Sequence, residues 1–405
     1  IEPLKLGLFE RAYDNFRSKT APELWRHFDE FCQSQSHWLE DYALFRALRE
    51  THGPINFRDW PAAIWHREPS ALARARQENE RAVERFRFAQ FVLHRQQQRL
   101  REYARQKEVR LIGDVPFLVA LNSADVWANP ELFLLDAEGR PEFVAGVPPD
   151  YFSADGQLWG NPLYNWEALA KTGYAWWIDR IRSVIAQVDG VRLDHFRAFA
   201  AAWHIPAGSL TAKIGEWRPG PGARFFEAAQ TELGPLPLIA EDLGYITADV
   251  LSLRDQFHFP GMRVLQFAFD GDAENPFLPE NFPTEVVAYT ATHDNNTTRG
   301  WYESLAEEDR KFLLDALRRS TVQADEVAVE LIRLIWESQA LLAMTPLQDV
   351  LNLGSEARMN WPGRAEGNWR WRATREQLTP TALEKIGELT RRTGRAAASP
   401  GPNSS

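Results

Sequence analysis

The chain has 405 residues, enough for one large domain or two to three small ones, with 44% apolar and 25% charged residues as in ordinary globular proteins. Its formal net charge of -10 lacks the basic footprint that non-specific nucleic-acid binding needs, so no nucleic-acid partner is expected. No apolar run reaches the length of a membrane span, and the single cysteine, Cys32, excludes a disulfide framework and a cysteine-rich metal site.

Residues 1 to 108 read as a helical region. The segments Glu23 to Cys32, His37 to Glu50 and Asn79 to Gln106 place apolar residues at helical spacing among charges, and Pro54, Pro61 and Pro69 punctuate them. The last segment carries Val83, Phe86, Phe88, Phe91, Leu93 and Leu100 on a long amphipathic helix.

From Val109 the texture changes to short apolar runs, each closing on polar residues: 109–120, 188–197, 236–244, 262–270, 285–295 and 341–351. Short strands buried on both faces and alternating with helices predict a parallel sheet. Polar residues clustered just past the strands predict a (β/α) barrel, whose functional groups gather at the strand C-terminal ends. Residues 109–390 are taken as that barrel region. Residues 391–405, RRTGRAAASPGPNSS, are poor in apolar groups and predict a disordered tail. The 16 Trp and 24 Phe are many for this length. They are either packing residues or flat platforms on which the apolar faces of sugar rings stack.

Three of the strand ends carry an acid: Asp194 in VRLDHFR, Glu241 in IAEDLG and Asp294 in THDN. A lone acid after a strand is more often a helix cap or an arginine partner. Three of them, with Arg192 and His293 close by in sequence, fit glycosidic-bond chemistry. Retention requires a nucleophilic carboxylate and a protonated acid about 5 to 5.5 Å apart. Arg192 lies two residues before Asp194, so on a strand both side chains share one face, and the guanidinium would hold that carboxylate ionised and oriented. Glu241, as the acid, would need its pKa raised by burial or a neighbouring negative charge. Asp294 and His293 would grip hydroxyls of the reacting sugar.

The blocks IGDVPFLVA, NSADVWANPELF, AGVPPDYFSADGQLWGNPLYNW, VRLDHFRAF, LPLIAEDLG, FPGMRVLQFAF, THDNNTTRGW, PLQDVLNLGSEARMN and GNWRWR, in this order between residues 109 and 372, resemble those of the amylomaltases. These are 4-α-glucanotransferases, relatives of the α-amylase superfamily. The resemblance implies an α/β fold, a (β/α)8 TIM-type barrel with helical insertions. It also implies transfer of α-1,4-glucan segments to glucose or maltooligosaccharide acceptors, without cofactor or metal. At matching positions Asp194 would be the nucleophile, Glu241 the acid/base and Asp294 the transition-state stabiliser, with Asp114, Arg192 and His293 around the reacting sugar. Tyr151 and Phe152 resemble a loop covering the donor glucan, Trp159 would border it, and Asn360 resembles part of a facing loop.

Family members usually begin with the first two barrel strands, which this chain lacks; a natural start upstream of Ile1 is therefore expected, and this chain alone would be marginally stable. Leu121, Asn122 and Trp361 depart from the usual residues at their positions. The expected protein is a cytoplasmic monomer. An α-glucan hydrolase on the same barrel, or a non-catalytic glucan-binding remnant, would share most of these features.

Overall fold

The computed structural model describes residues 2–18, 22–149, 154–364 and 366–396. The chain forms two compact units, Ile1–Asp194 with Ala198–Pro237, and His195–Arg197 with Leu238–Ser405. The helical region runs to the end of α6 at Gln106, and the first strand begins at Ile112. The helices and the first parallel strands share one unit.

The first unit opens with α1 (Glu2–Arg17), α2 (Pro22–Ser34), α3 (Ser36–His52), α4 (Ala62–Trp65), α5 (Pro69–Glu78) and α6 (Glu80–Gln106). The prolines act as starters: Pro61 precedes α4, and Pro69 opens α5, where a missing N–H breaks no helical bond. Aromatic rings hold α1, α2, α3 and α6 together, with Tyr13, Phe16, Phe28, Phe31, Leu39, Phe88 and Phe91 buried in one cluster. Phe16 stacks on Trp25 at 4.3 Å and on Phe88 at 4.5 Å. Burying rings of this size contributes on the order of 2 kcal/mol each. Leu93 and Leu100, expected on the apolar face of α6, are instead 49% and 56% exposed.

Next come β1 (Ile112–Val115), α7 (Ala124–Ala128), β2 (Phe143–Val147), β3 (Gln157–Pro162), α8 (Trp166–Lys171), α9 (Ala175–Ile185), β4 (Gly190–Leu193), β5 (Ala201–Pro206), β6 (Glu216–Pro219) and α10 (Ala223–Leu233). β1 and β4 pair in parallel. Behind them Phe117, Trp177, Phe199 and Phe225 are fully buried, with Phe117 edge-on to Phe199 at 5.0 Å. A four-stranded antiparallel sheet in the order β3-β2-β5-β6 stands apart from the parallel strands. None of the apolar runs singled out in the sequence covers its first two strands, which carry Gly146, Gly160 and Pro162, and β3 is mostly exposed.

The second unit holds β7 (Leu238–Ala240), α11 (Ala248–Gln256), β8 (Gly261–Val264), β9 (Val286–Tyr289), α12 (Thr298–Ser304), α13 (Glu307–Leu317), α14 (Val327–Trp336), β10 (Leu342–Met344), α15 (Leu347–Val350) and α16 (Pro380–Arg392). β8, β9 and β10 pair in parallel in the order β10-β9-β8. Every residue of β7 and β8 is buried, which accounts for their unbroken apolar character. Each of the apolar runs singled out from Val109 onward contains one of the strands β1, β4, β7, β9 and β10, or, for β8, all but its first residue. The expected tail is corrected at its start. α16 continues to Arg392, and Arg395 donates to the carbonyls of Trp336, Ser338 and Ala340 at 2.7 to 3.1 Å. Residues 397–405 lie outside the described residues.

Candidate active site

In the first unit the parallel register sets Asp114 of β1 opposite Arg192 of β4. Facing residues in neighbouring strands project from the same side of the sheet, and Asp194, two residues past Arg192, follows suit. The guanidinium uses that arrangement fully. Nη1 donates to Asp114 Oδ1 at 2.8 Å and Nη2 to Asp194 Oδ1 at 2.9 Å. Its side chain is 12% exposed, whereas those of Asp114 and Asp194 are 45% and 38% exposed, so the fixed cation lies beneath two reachable acids. Asp194 donates its N–H to Val115 O at 3.1 Å, the bond by which the chain leaves the sheet. Among the described residues Asp194 Oδ2 carries no hydrogen bond, and Oδ1 carries the one from Arg192.

The chain turns at His195, whose φ of 48° lies in the left-handed region rarely adopted by residues other than glycine. In the second unit this turn aims the His195 N–H at Glu241 Oε2, 2.8 Å away, while the Leu243 N–H reaches Oε1 at 3.1 Å. The Phe196 N–H holds the carbonyl of Glu241 at 3.1 Å. Two backbone donors thus fix both oxygens of the half-buried carboxyl. The next residue, Asp242, faces inward: its side chain is 1% exposed and accepts from Met262 N at 2.6 Å and Arg254 Nη1 at 2.5 Å. It lies so close to Gly261 that a Cβ there would sit 2.5 Å from Oδ2, so β8 must begin with glycine.

Past β9, the loop before α12 carries His293 and Asp294. Asn360 Nδ2 donates to Asp294 Oδ1 at 2.6 Å, and His293 Nε2 approaches Asp294 Oδ2 at 3.4 Å. Arg358 Nη2 donates to the Asp294 carbonyl at 2.6 Å, and the Asn360 N–H to the His293 carbonyl at 3.1 Å. Asn360, which the resemblance places on a loop facing the glucan, is bonded to Asp294, and Arg358, absent from the expected site, joins it. The ARMN block contains both, two residues apart. Trp361, the unusual residue there, lies between the guanidinium groups of Arg358 and Arg364 at 4.0 and 4.2 Å. Trp369, also missed, is 59% exposed with its ring 5.2 Å from that of His293.

Trp159 lies on β3, 37% exposed, and its indole N–H donates to Gln157 Oε1 at 3.2 Å. Tyr151 and Phe152 lie outside the described residues. Most of the remaining tryptophans and phenylalanines are buried or half-buried, so core packing explains more of the aromatic excess than ligand platforms do. Among the described residues no group of three or more His, Cys, Asp or Glu is arranged to hold a metal ion, and no helix is long and apolar enough to cross a membrane.

The family model described as 4-alpha-glucanotransferase matches residues 1–378. The 4-alpha-glucanotransferase of Synechocystis sp. is 48% identical over 394 residues, covering 96% of this chain and 78% of that protein. The enzyme of the same name from Thermus thermophilus is 46% identical over 396 residues, covering 96% and 79%. Among solved structures, the amylomaltase from Streptococcus agalactiae in complex with acarbose superposes with a TM-score of 0.92 at 36% identity, covering 96% of this chain and 78% of that one. With parallel strand pairings in both units, acids in the segments that follow the strands and a match over nearly its whole length, the chain belongs to the 4-alpha-glucanotransferase family.

Proposed function

We propose that this chain transfers α-1,4-glucan segments between maltooligosaccharides by a retaining double displacement, with Asp194 and Glu241 as the reacting pair. In this reading β1, β4, β7, β8, β9 and β10 are six strands of a (β/α)8 barrel, and the acids stand at their C-terminal ends. The observation that carries it is the turn after β4. Asp194 exposes one oxygen while Arg192 holds the other, and the very next N–H binds Glu241.

Asp194 Oδ2 attacks the anomeric carbon as the bond to the departing 4-oxygen breaks, and Glu241 gives that oxygen its proton. The result is a glucan ester-linked in the β configuration to Asp194. The 4-hydroxyl of an incoming sugar then attacks the same carbon, its proton returns to Glu241, and the ester bond to Asp194 breaks. Two inversions restore the α linkage. Asp294, held by Asn360 and beside His293, is suited to accept hydrogen bonds from ring hydroxyls as the oxocarbenium character develops. Tyr151, Phe152 and Trp159 serve in this reading as surfaces along the donor chain, and transfer prevails over hydrolysis when such surfaces keep an acceptor seated and water away.

Incubation with maltotriose tests this directly. Transfer produces a ladder of longer maltooligosaccharides together with glucose and maltose. Release of shorter sugars alone identifies a hydrolase, and no turnover identifies a binding remnant.

A further inference from the structure

The loop bearing His293 and Asp294 is anchored from below by a group that no step of the chemistry uses. Asp349, on α15, is fully buried, as are Thr290 and Thr298, the residues that bracket the loop. Its Oδ2 accepts from the hydroxyls of Thr290 and Thr298, each at 2.6 Å, and its Oδ1 accepts from the Thr298 N–H at 2.7 Å. All of these donors are neutral, so no counter-ion explains a carboxyl at this depth, where an acid without such bonds is costly. Burial accordingly pushes its pKa up, and the bonds from Thr290 and Thr298 offset part of that. Thr290 directly follows β9 and Thr298 begins α12, so a single carboxyl ties the two ends of the loop together. A carboxylate does this by accepting at both oxygens; an amide there would have to donate to both hydroxyl oxygens, reversing two of the three bonds and removing their charge.

We infer that Asp349 is a positioning residue for Asp294: by closing the base of the loop it sets where the Asp294 carboxyl stands over the reacting sugar. This rests on the role given to Asp294 above. The rest of the loop is tied down in the same sense, with Gln266 donating to the Asn296 carbonyl and Asn296 to Ser355 Oγ, both at 2.9 Å. The loop top is therefore held by Asn360 and Arg358, and its base by Asp349.

The test is a double-mutant cycle between Asp349→Asn and Asp294→Asn, with kcat and KM measured on an activated α-maltosyl fluoride donor so that weak variants stay measurable. Asp349→Asn is expected to lower kcat about 10- to 100-fold, the scale of a small misplacement of a catalytic group, with KM within about three-fold of the parent. In the Asp294→Asn background the same change is expected to cost less than about two-fold, because a misplaced group that is already missing cannot be lost twice. Losses that multiply, or a Asp349→Asn enzyme with parental kcat, overturn the inference. If Asp294→Asn alone keeps the parental rate, the role assigned to Asp294 is what fails. Should Asp349→Asn not fold, Thr298→Val replaces it in the cycle with the same expected non-additivity, and a parental kcat in that variant is equally contradictory.

Discussion

The backbone N–H of His195 donates to Glu241 Oε2 at 2.8 Å, and His195 directly follows Asp194 in the chain. His195 itself has a φ of 48°, and such a left-handed conformation costs roughly 1 to 3 kcal/mol at a residue other than glycine. Strain at this point in the chain fits a turn kept for its geometry.

Because Leu243 N–H occupies the other oxygen, Glu241→Gln is not a neutral exchange. Its N–H₂ must face one of two backbone donors, and the variant is expected to lose about 1 to 3 kcal/mol of stability. Loss of the acid is expected to slow transfer from maltotriose by about 10²- to 10⁴-fold. Thermal unfolding and steady-state kinetics check the two effects separately.

Arg192 bridges Asp114 and Asp194 through different nitrogens. Arg192→Ala is expected to reduce kcat about 100-fold or more, since the reacting carboxyl loses its orienting partner. Arg192→Lys is expected to recover only a small part of that rate, because one ammonium cannot reproduce the planar fork. A lysine variant with parental kcat would show that charge alone matters.

Gly300, in α12, lies against the turn at Ser355. A Cβ there would meet Ser355 Oγ, and would stand 2.8 Å from Ser355 N and 2.9 Å from Asn296 Nδ2. Gly300→Ala is therefore expected to push α12 and the Asp294 loop off that turn, costing about 1 to 3 kcal/mol and lowering kcat together with Tm. An unchanged Tm would show that the turn yields without cost.

His204 on β5 gives a prediction about pH. Burial, with the Arg218 charge adding to it, pushes its imidazole from 6.5 down to about 4. The folded chain keeps it neutral, while the unfolded chain takes up a proton below about pH 6.5. Its contribution is therefore fully present above that pH and is lost as pH falls toward 4, amounting to about 3 kcal/mol. Chemical denaturation at steps across this window, on the parent and on His204→Gln, should show a shallower acid-side decline in the variant. Equal declines would assign the pH dependence to other groups.

Much of the site is legible in the sequence because strands buried on both faces leave unbroken apolar runs, and the polar residue closing each run marks its end. Asp194, Glu241 and Asp294 stand out for that reason, as does the pairing of Arg192 with Asp194, set by the two-residue period of a strand. The tie from Arg192 to Asp114 depends on strand register across 78 residues, which no local pattern carries. Asn360 enters the sequence reading through the family resemblance alone, and its bond to Asp294, 66 residues away, is visible only in the fold. The antiparallel sheet escaped notice because β3 alternates little and carries Gly160 and Pro162. Arg395 looks like part of a polar tail, yet its fork satisfies three carbonyls after α14, a role set by geometry and not by composition.

Mass spectrometry of the Glu241→Gln enzyme after brief exposure to α-maltosyl fluoride tests the assignment most directly, since fluoride departs without help from an acid while the return step lacks its base. A maltosyl adduct on the peptide containing Asp194, absent when Asp194→Asn is added, is the expected result. An adduct on another acid, or none while the parent enzyme turns over, would contradict it.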